Sequence, residues 1–279
     1  MKRLISALLL LLALASGMSA KTTYSREDSL TVVRLLSEAP GADPLWLARQ
    51  LLGRPYVAHT LEVNNHEQLV VNMRQLDCTT LVETVAALAI CVKEKKRDFC
   101  SFCQVLRVLR YRDGRIDGYP SRLHYFTDWI DDNTRLGLVR EISAQVEPFT
   151  AVQSVSIDYM SRHPEAYKAL KARPELVKVI ARQEQQLTGH RYRFIPKASV
   201  KDTKALRAVV KDGDILAITT SKQGLDIAHL GFAVWRQDGL HLLNASQLHK
   251  KVVEEPMTLG QYLAKHPTFT GIRVVRLNL

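Results

Sequence analysis

The chain predicts an α+β fold, with a helix-rich N-terminal half packed on an antiparallel C-terminal sheet. Three observations carry that reading. Up to about residue 109, apolar side chains recur at helical spacing; residues 154–187 are rich in Glu, Lys, Ala, Leu and Arg; from Tyr192 onward, short strand-like runs separated by turn residues take over. Helical and strand patterns are segregated along the chain rather than alternating as βαβ units.

The chain opens on Met1-Lys2-Arg3, an apolar run from Leu4 to Ala15 and the small residues Ser16-Gly17-Met18-Ser19-Ala20, the three-part layout of a secretory signal peptide over 1–20. Cleavage after Ala20 or after Ser19 both fit, and either leaves a single domain over 21–279. The run is too short to span a bilayer comfortably, and no cysteine follows it to carry a lipid. An exported protein without a membrane anchor is expected.

Within the domain, Ser25 and Asp43 cap predicted helices over 25–36 and 43–52, and Gly53 stops the second. Residues 56–71 read as extended structure around Asn64-Asn65. Residues 78–92 place Leu81, Val82, Val85, Ala86, Leu88, Ala89 and Val92 on one stripe, the pattern of a buried central helix. A charged break over 93–98 precedes a helix to about 109, and Asp113-Gly114 marks a turn. Pro164 and Pro174 stand where helical first turns begin. Strands are predicted over 193–195, 214–220, 229–235, 240–244, 251–255 and 272–277, with one helix over 259–265.

Composition limits the function classes. The net charge of +11, reduced by the loss of Lys2 and Arg3, favours an anionic partner, and export argues against nucleic acid. Four cysteines are too few for a disulfide-built scaffold. Cys100-Ser101-Phe102-Cys103 has redox-motif spacing but lacks a βαβ context, so a structural disulfide or simple burial is expected, with Cys91–Cys100 as another pairing. His66-Glu67 begins like H-E-x-x-H but position 70 is Val70, so no metal is expected, nor any other cofactor. G-x-S-x-G is absent, which disfavours a serine hydrolase.

The chemistry-bearing stretch is Leu76-Asp77-Cys78-Thr79-Thr80-Leu81-Val82-Glu83. With Asp77 as N-cap, Cys78 stands in the first helical turn, where free backbone N–H groups and the helix dipole favour a thiolate. A Thr80–Glu83 capping box would start the helix later and still leave the sulfur near its positive end. Far downstream, Ala228-His229-Leu230-Gly231-Phe232-Ala233-Val234 puts His229 on a face with Gly231 and Ala233, leaving room beside the imidazole. Asn244 ends the next strand and is the candidate to hold that imidazole. If Asp238-Gly239 is a two-residue turn, however, Asn244 pairs with Ala233 and cannot reach it, so a bulge or longer loop is required; Gln247 and His249 are the alternatives.

In their order, these motifs resemble the N-acetylmuramoyl-L-alanine amidase-like family of bacterial papain-like cell-wall cysteine hydrolases. The resemblance rests on Arg54-Pro55-Tyr56, Thr60-Leu61-Glu62, the Cys78 motif, the 121–130 segment from Ser121-Arg122-Leu123-His124-Tyr125 to Ile130, Lys211-Asp212-Gly213-Asp214, His229-Leu230-Gly231-Phe232 and Leu243-Asn244-Ala245-Ser246. It implies a papain-like fold with Cys78 as nucleophile, His229 as base and Asn244 in the third place, where related hydrolases often carry histidine. It further implies a periplasmic enzyme cleaving the amide between N-acetylmuramic acid and L-alanine, with small released muropeptides as partners. A monomer is expected. Arg122 and Tyr125 are candidates to grip a substrate carboxylate and the sugar or peptide, and Tyr56 is a candidate oxyanion donor. The rival readings are a catalytically silent module that binds cell-wall fragments and an endopeptidase that cuts the stem peptide.

Overall fold

The computed structural model describes residues 21–279, so the signal-peptide reading of 1–20 lies outside the described residues. Five helices come first: α1 (Arg26–Glu38), α2 (Pro44–Arg49), α3 (Cys78–Lys93), α4 (Phe99–Arg110) and α5 (Phe126–Arg135). The starts of α1 to α4 are set by side-chain caps on the backbone N–H groups that a first turn leaves free, while α5 begins after Tyr125 without one. Ser25 and Asp28 cap α1 reciprocally, Asp43 accepts from Leu45 N–H ahead of Pro44, and Asp98 accepts from Ser101 N–H.

Strands β1 (Val139–Ile142) and β2 (Ala151–Ser154) follow. The middle of the chain forms α6 (Tyr159–Arg162), α7 (Lys168–Ala172) and α8 (Val177–Leu187), joined by single 3₁₀ turns that begin at Pro164 and Pro174. Composition predicted helix throughout this segment. The prolines divide it, because the residue before each is pushed out of helical geometry: His163 has φ −127°, ψ 50° and Arg173 has φ −136°, ψ 77°.

The remaining elements are β3 (Arg191–Pro196), α9 (Lys204–Val209), β4 (Ile215–Thr220), β5 (Ile227–Arg236), β6 (Gly239–Ser246), β7 (Lys251–Glu254), α10 (Leu259–Ala264) and β8 (Phe269–Leu277). Among the described residues the strands form one eight-stranded sheet in the order β2-β3-β8-β4-β5-β6-β7, with β1 also on β8. Every pairing between named strands is antiparallel. Strands β1 and β2 were not foreseen. Residues 56–71, expected to be extended, are mostly turns held by isolated bridges such as Thr23–Val70, with Tyr56–Leu76 alongside.

Helix α3 is buried from Thr80 to Val92, which removes it from solvent on nearly every face. It lies between α1, α2 and α4 on one side and the sheet on the other. Leu230, Phe232 and Val234 of β5 join Leu81, Val82 and Val85 in one apolar cluster. The opposite sheet face carries Leu216, Ile218, Ala233 and Leu242 against Leu206, Leu259 and Leu263 of α9 and α10. From His229 onward, sheet alternation thus assigns β5's odd residues to the α10 side and its even residues to the α3 side. A third cluster joins α6 to α8 with Tyr119 and Tyr125.

Candidate active site

Asp77 is the N-cap of α3. Its carboxylate accepts from Thr80 N–H at 2.8 Å, and Thr80 Oγ1 accepts from Asp77 N–H at 2.9 Å. Of the two capping registers open in the sequence, the chain adopts the one that makes Cys78 the first helical residue. Glu83, the partner in the other register, faces Arg110 instead at 2.7 Å.

Cys78 is half-buried and lines a cleft of about 190 Å³ together with Thr79, His124, Tyr167, Asp226 and His229. The cleft lies where the start of α3, the N-terminal end of β5 and the α6–α8 cluster meet. His229 is the first residue of β5 in the regular β4–β5 register, paired with Ile218, and just before it the ladder is irregular: Thr219 pairs with Ile227, leaving Ala228 bulged.

His229 Nε2 lies 2.9 Å from Asn244 Oδ1. The geometric obstacle posed by the sequence disappears because Gly239 belongs to β6. It pairs with Arg236 at φ +135°, the turn is Gln237-Asp238, and the ladder continues to Phe232–Leu243. That register brings Asn244 level with Gly231 instead of Ala233, one diagonal step from His229 on the same face. No loop lengthening is needed. Gly231 also keeps the seam closed, since a Cβ there would stand 2.5 Å from Leu243 O and 2.7 Å from Leu242 Cδ1. Gly231→Ala is therefore expected to part β5 from β6 and cost roughly 1–3 kcal/mol, read as a lower urea midpoint with the m-value retained.

The hydrogen-bonded chain extends beyond the residues named from sequence. Asn244 Nδ2 donates to Glu255 Oε1 at 3.0 Å, and His249 Nε2 lies 3.1 Å from Glu255 Oε2. Glu255 and Asn244 are both buried. Sequence reading missed Glu255, although the signal was present. A hairpin that pairs Leu243 with Glu254 delivers the next acidic residue beside the end of β6.

Burial dominates the electrostatics of the pair. Desolvation, reinforced by the Asp77 charge, pushes the Cys78 thiol up to about 12, while N–H groups of Leu230 and Thr79 and the Thr79 hydroxyl act in the opposite sense. The helix terminus does not prevail as the sequence suggested. Burial likewise lowers the His229 pKa, against the Asn244 hydrogen bond and the Glu255 charge, which favour protonation. Both shifts favour the uncharged forms, thiol and neutral imidazole. His124, a second imidazole on the cleft, is held down to about 3 by burial and by Arg122, with Nε2 3.0 Å from Tyr119 O.

The three candidate binding residues separate. Tyr56 lies within electrostatic reach of the cysteine, and burial together with the Cys78 and Asp77 charges raises its pKa. Arg122 is buried and already occupied: Nε and Nη2 bind Glu67 at 2.9 and 2.7 Å, and Nη1 binds Glu62 at 2.6 Å. Every guanidinium nitrogen faces a carboxylate, so the Arg122 charge is matched within the protein. Tyr125 forms part of the cleft wall, but its hydroxyl donates to Glu184 at 2.6 Å and accepts from Met160 N–H at 3.0 Å. These bonds tie the start of α5 to α6 and α8.

All four cysteines are free thiols, so neither Cys100–Cys103 nor Cys91–Cys100 is bridged. Among the described residues, no group of three His, Cys, Asp or Glu side chains could hold a metal ion. No helix among them is long and apolar enough to cross a membrane.

Residues 46–272 match the AmiA-like family model, described as N-acetylmuramoyl-L-alanine amidase-like. No curated protein matches the chain. Among solved structures it is similar to an N-acetylmuramoyl-L-alanine amidase from Bacteroides uniformis, at 43% identity and TM-score 0.80 over 85% of this chain and 99% of that one. A putative xylanase from Bacteroides fragilis is 42% identical at TM-score 0.77, over 82% of this chain and 99% of that one. A Legionella pneumophila protein at 20% identity and TM-score 0.70, over 90% of this chain and 94% of that one, shares the fold. With the family model covering most of its length, the chain belongs to the AmiA-like, N-acetylmuramoyl-L-alanine amidase-like family.

Proposed function

We propose that the protein is an exported, periplasmic cysteine amidase of papain-like architecture. It hydrolyses the amide between N-acetylmuramic acid and L-alanine in small muropeptides. The observation that carries this reading is the cleft lined both by Cys78, at the head of a buried helix, and by an imidazole hydrogen-bonded to Asn244 at 2.9 Å. Family membership and the similar Bacteroides uniformis amidase support the bond and the peptidoglycan-derived substrate.

In this mechanism His229 Nδ1 takes the Cys78 proton as the sulfur attacks the amide carbonyl carbon. The oxyanion meets the Cys78 N–H, which has no intrahelical acceptor at the first position of α3, and Tyr56 is placed to offer a second donor. The imidazolium proton then passes to the L-alanine nitrogen as the C–N bond breaks. Water, deprotonated by His229, attacks the thioester and restores the thiol. A basic protein suits this substrate, whose stem peptide bears carboxylates.

Mass spectrometry of products from defined muropeptides and from intact sacculi tests the proposal. The expected result is a free peptide beginning at L-alanine and the matching muramic acid sugar, formed faster from the small substrates. A cut between D-glutamate and the diamino acid would overturn the bond assignment. Binding without any cut would leave a cell-wall-fragment module.

A further inference from the structure

The Asn244 amide is symmetric enough in shape that sterics alone do not decide which end faces His229. Its far end decides the matter. The nearest polar group there is the Glu255 carboxylate, which accepts and does not donate, so Nδ2 must turn toward it and Oδ1 toward the imidazole. An acceptor at Oδ1 in turn requires a hydrogen on His229 Nε2.

Glu255 is placed to make that choice reproducibly. It is 1% exposed, and its backbone is pinned at both polar atoms: its N–H donates to Leu242 O at 2.8 Å, and its carbonyl accepts from His241 Nδ1 at 2.9 Å. Both carboxylate oxygens are engaged, Oε1 by Asn244 and Oε2 by His249. A buried carboxylate with a polar partner at each oxygen has little freedom to release the amide.

We propose, resting on the cysteine-hydrolase reading above, that Glu255 is a positioning residue. It clamps the Asn244 amide so that His229 carries its proton on Nε2 and keeps Nδ1 as the base for Cys78. His249 Nε2 supports the clamp from the opposite carboxylate oxygen. Asn244 alone would hold the ring but would not fix its tautomer. The third place of the site is thus a pair of residues.

Two substitutions separate geometry from charge. Glu255→Gln keeps an acceptor for Asn244 and removes the charge, whereas Glu255→Leu removes both. Full-length protein labelled with ¹⁵N-histidine reports the tautomer and titration of His229 directly, its signals assigned by their loss in His229→Gln. The groups facing His229 are Asp77 and Cys78 from α3, Tyr262 and His266 from α10 and the turn beyond it, Asn244 from β6 and Lys250 before β7. Neither substitution changes any of these residues.

The expected result is the Nε2–H tautomer in the wild type and in Glu255→Gln, and mixed tautomers in Glu255→Leu. Because the Glu255 charge favours His229 protonation, Glu255→Gln should also titrate at lower pH than wild type. On muropeptide, Glu255→Leu should lose kcat by roughly ten- to hundredfold with KM little changed, the size set by one freed buried hydrogen-bonding group. Glu255→Gln should lose less, and Glu255→Leu should add little to Asn244→Ala. A His229 that keeps its tautomer and titration in Glu255→Leu overturns the proposal, as do additive losses with Asn244→Ala. Should the protein not cleave muropeptides at all, the imidazole spectra still decide the role of Glu255, so failure of the amidase reading is distinguishable from failure of this one.

Discussion

Cys78→Ala is expected to lower kcat/KM on the preferred muropeptide by at least about 10⁴-fold, because loss of the nucleophile removes the covalent pathway and leaves only binding and the oxyanion donors. The fold should survive. Cys78 is half-buried at the first position of α3, while Asp77, Thr80 and the apolar face below keep their own contacts, so the thermal midpoint should move by only a few degrees. Unchanged turnover in this variant, with a normal midpoint, refutes the nucleophile assignment.

The pH profile of the wild type follows from the same site, with a definite sign. In the proposed mechanism the active resting form is neutral His229 with a protonated Cys78 thiol. As pH falls through the lowered His229 pKa the base is lost, so kcat/KM should drop on the acid side, below the ordinary histidine value of about 6.5. On the alkaline side, a thiol pushed up to about 12 yields no descending limb near neutrality. A plateau from about pH 6.5 upward, read by steady-state assay, is expected. A pre-formed thiolate–imidazolium pair would instead lose activity as pH rises through the imidazolium pKa, and would alkylate rapidly with iodoacetamide at neutral pH.

Local rules made the frame of the site legible in the sequence. Asp77 before an apolar helical stripe marks a capped buried helix, and alternation around His229 marks its strand and face; both readings match the structure. What escaped was decided by pairing at a distance. The Asn244 register depended on whether Gly239 was turn or strand, a choice shifting its opposite residue from Ala233 to Gly231, and only the full ladder determines it. Arg122 looked like a free cation because nothing local shows that Glu62 and Glu67 fold against it. Glu255 and Asn244 lie eleven positions apart on neighbouring strands, which hydrophobic periodicity does not register. The prolines at 164 and 174 are the converse case, since a local rule foretold helical starts there but their effect on the preceding residue divided the helix.

The largest stability effect is expected at Glu83 and Arg110, the buried ion pair that ties α3 to α4. Their side chains are each 2% exposed and 2.7 Å apart, and Arg110 Nη1 also donates to Val70 O at 2.6 Å, anchoring the segment that leads back toward Cys78. Removing one partner strands the other without water, a loss of about 3–5 kcal/mol. The two singles should differ. A stranded arginine cannot shed its charge, whereas Glu83 already has its pKa raised by burial against the pull of Arg110, and without Arg110 it can take a proton. Glu83→Leu should therefore be the more damaging, lowering the thermal midpoint on the order of 10 °C at neutral pH. The penalty in Arg110→Leu should shrink as pH falls and Glu83 becomes neutral. Pairing the two substitutions should restore much of the midpoint, because desolvating both ions offsets most of their attraction. Thermal scans of the three variants at two pH values decide this. If the double variant were as unstable as the sum of the singles, the pair would be an independent source of stability rather than a mutually neutralised one.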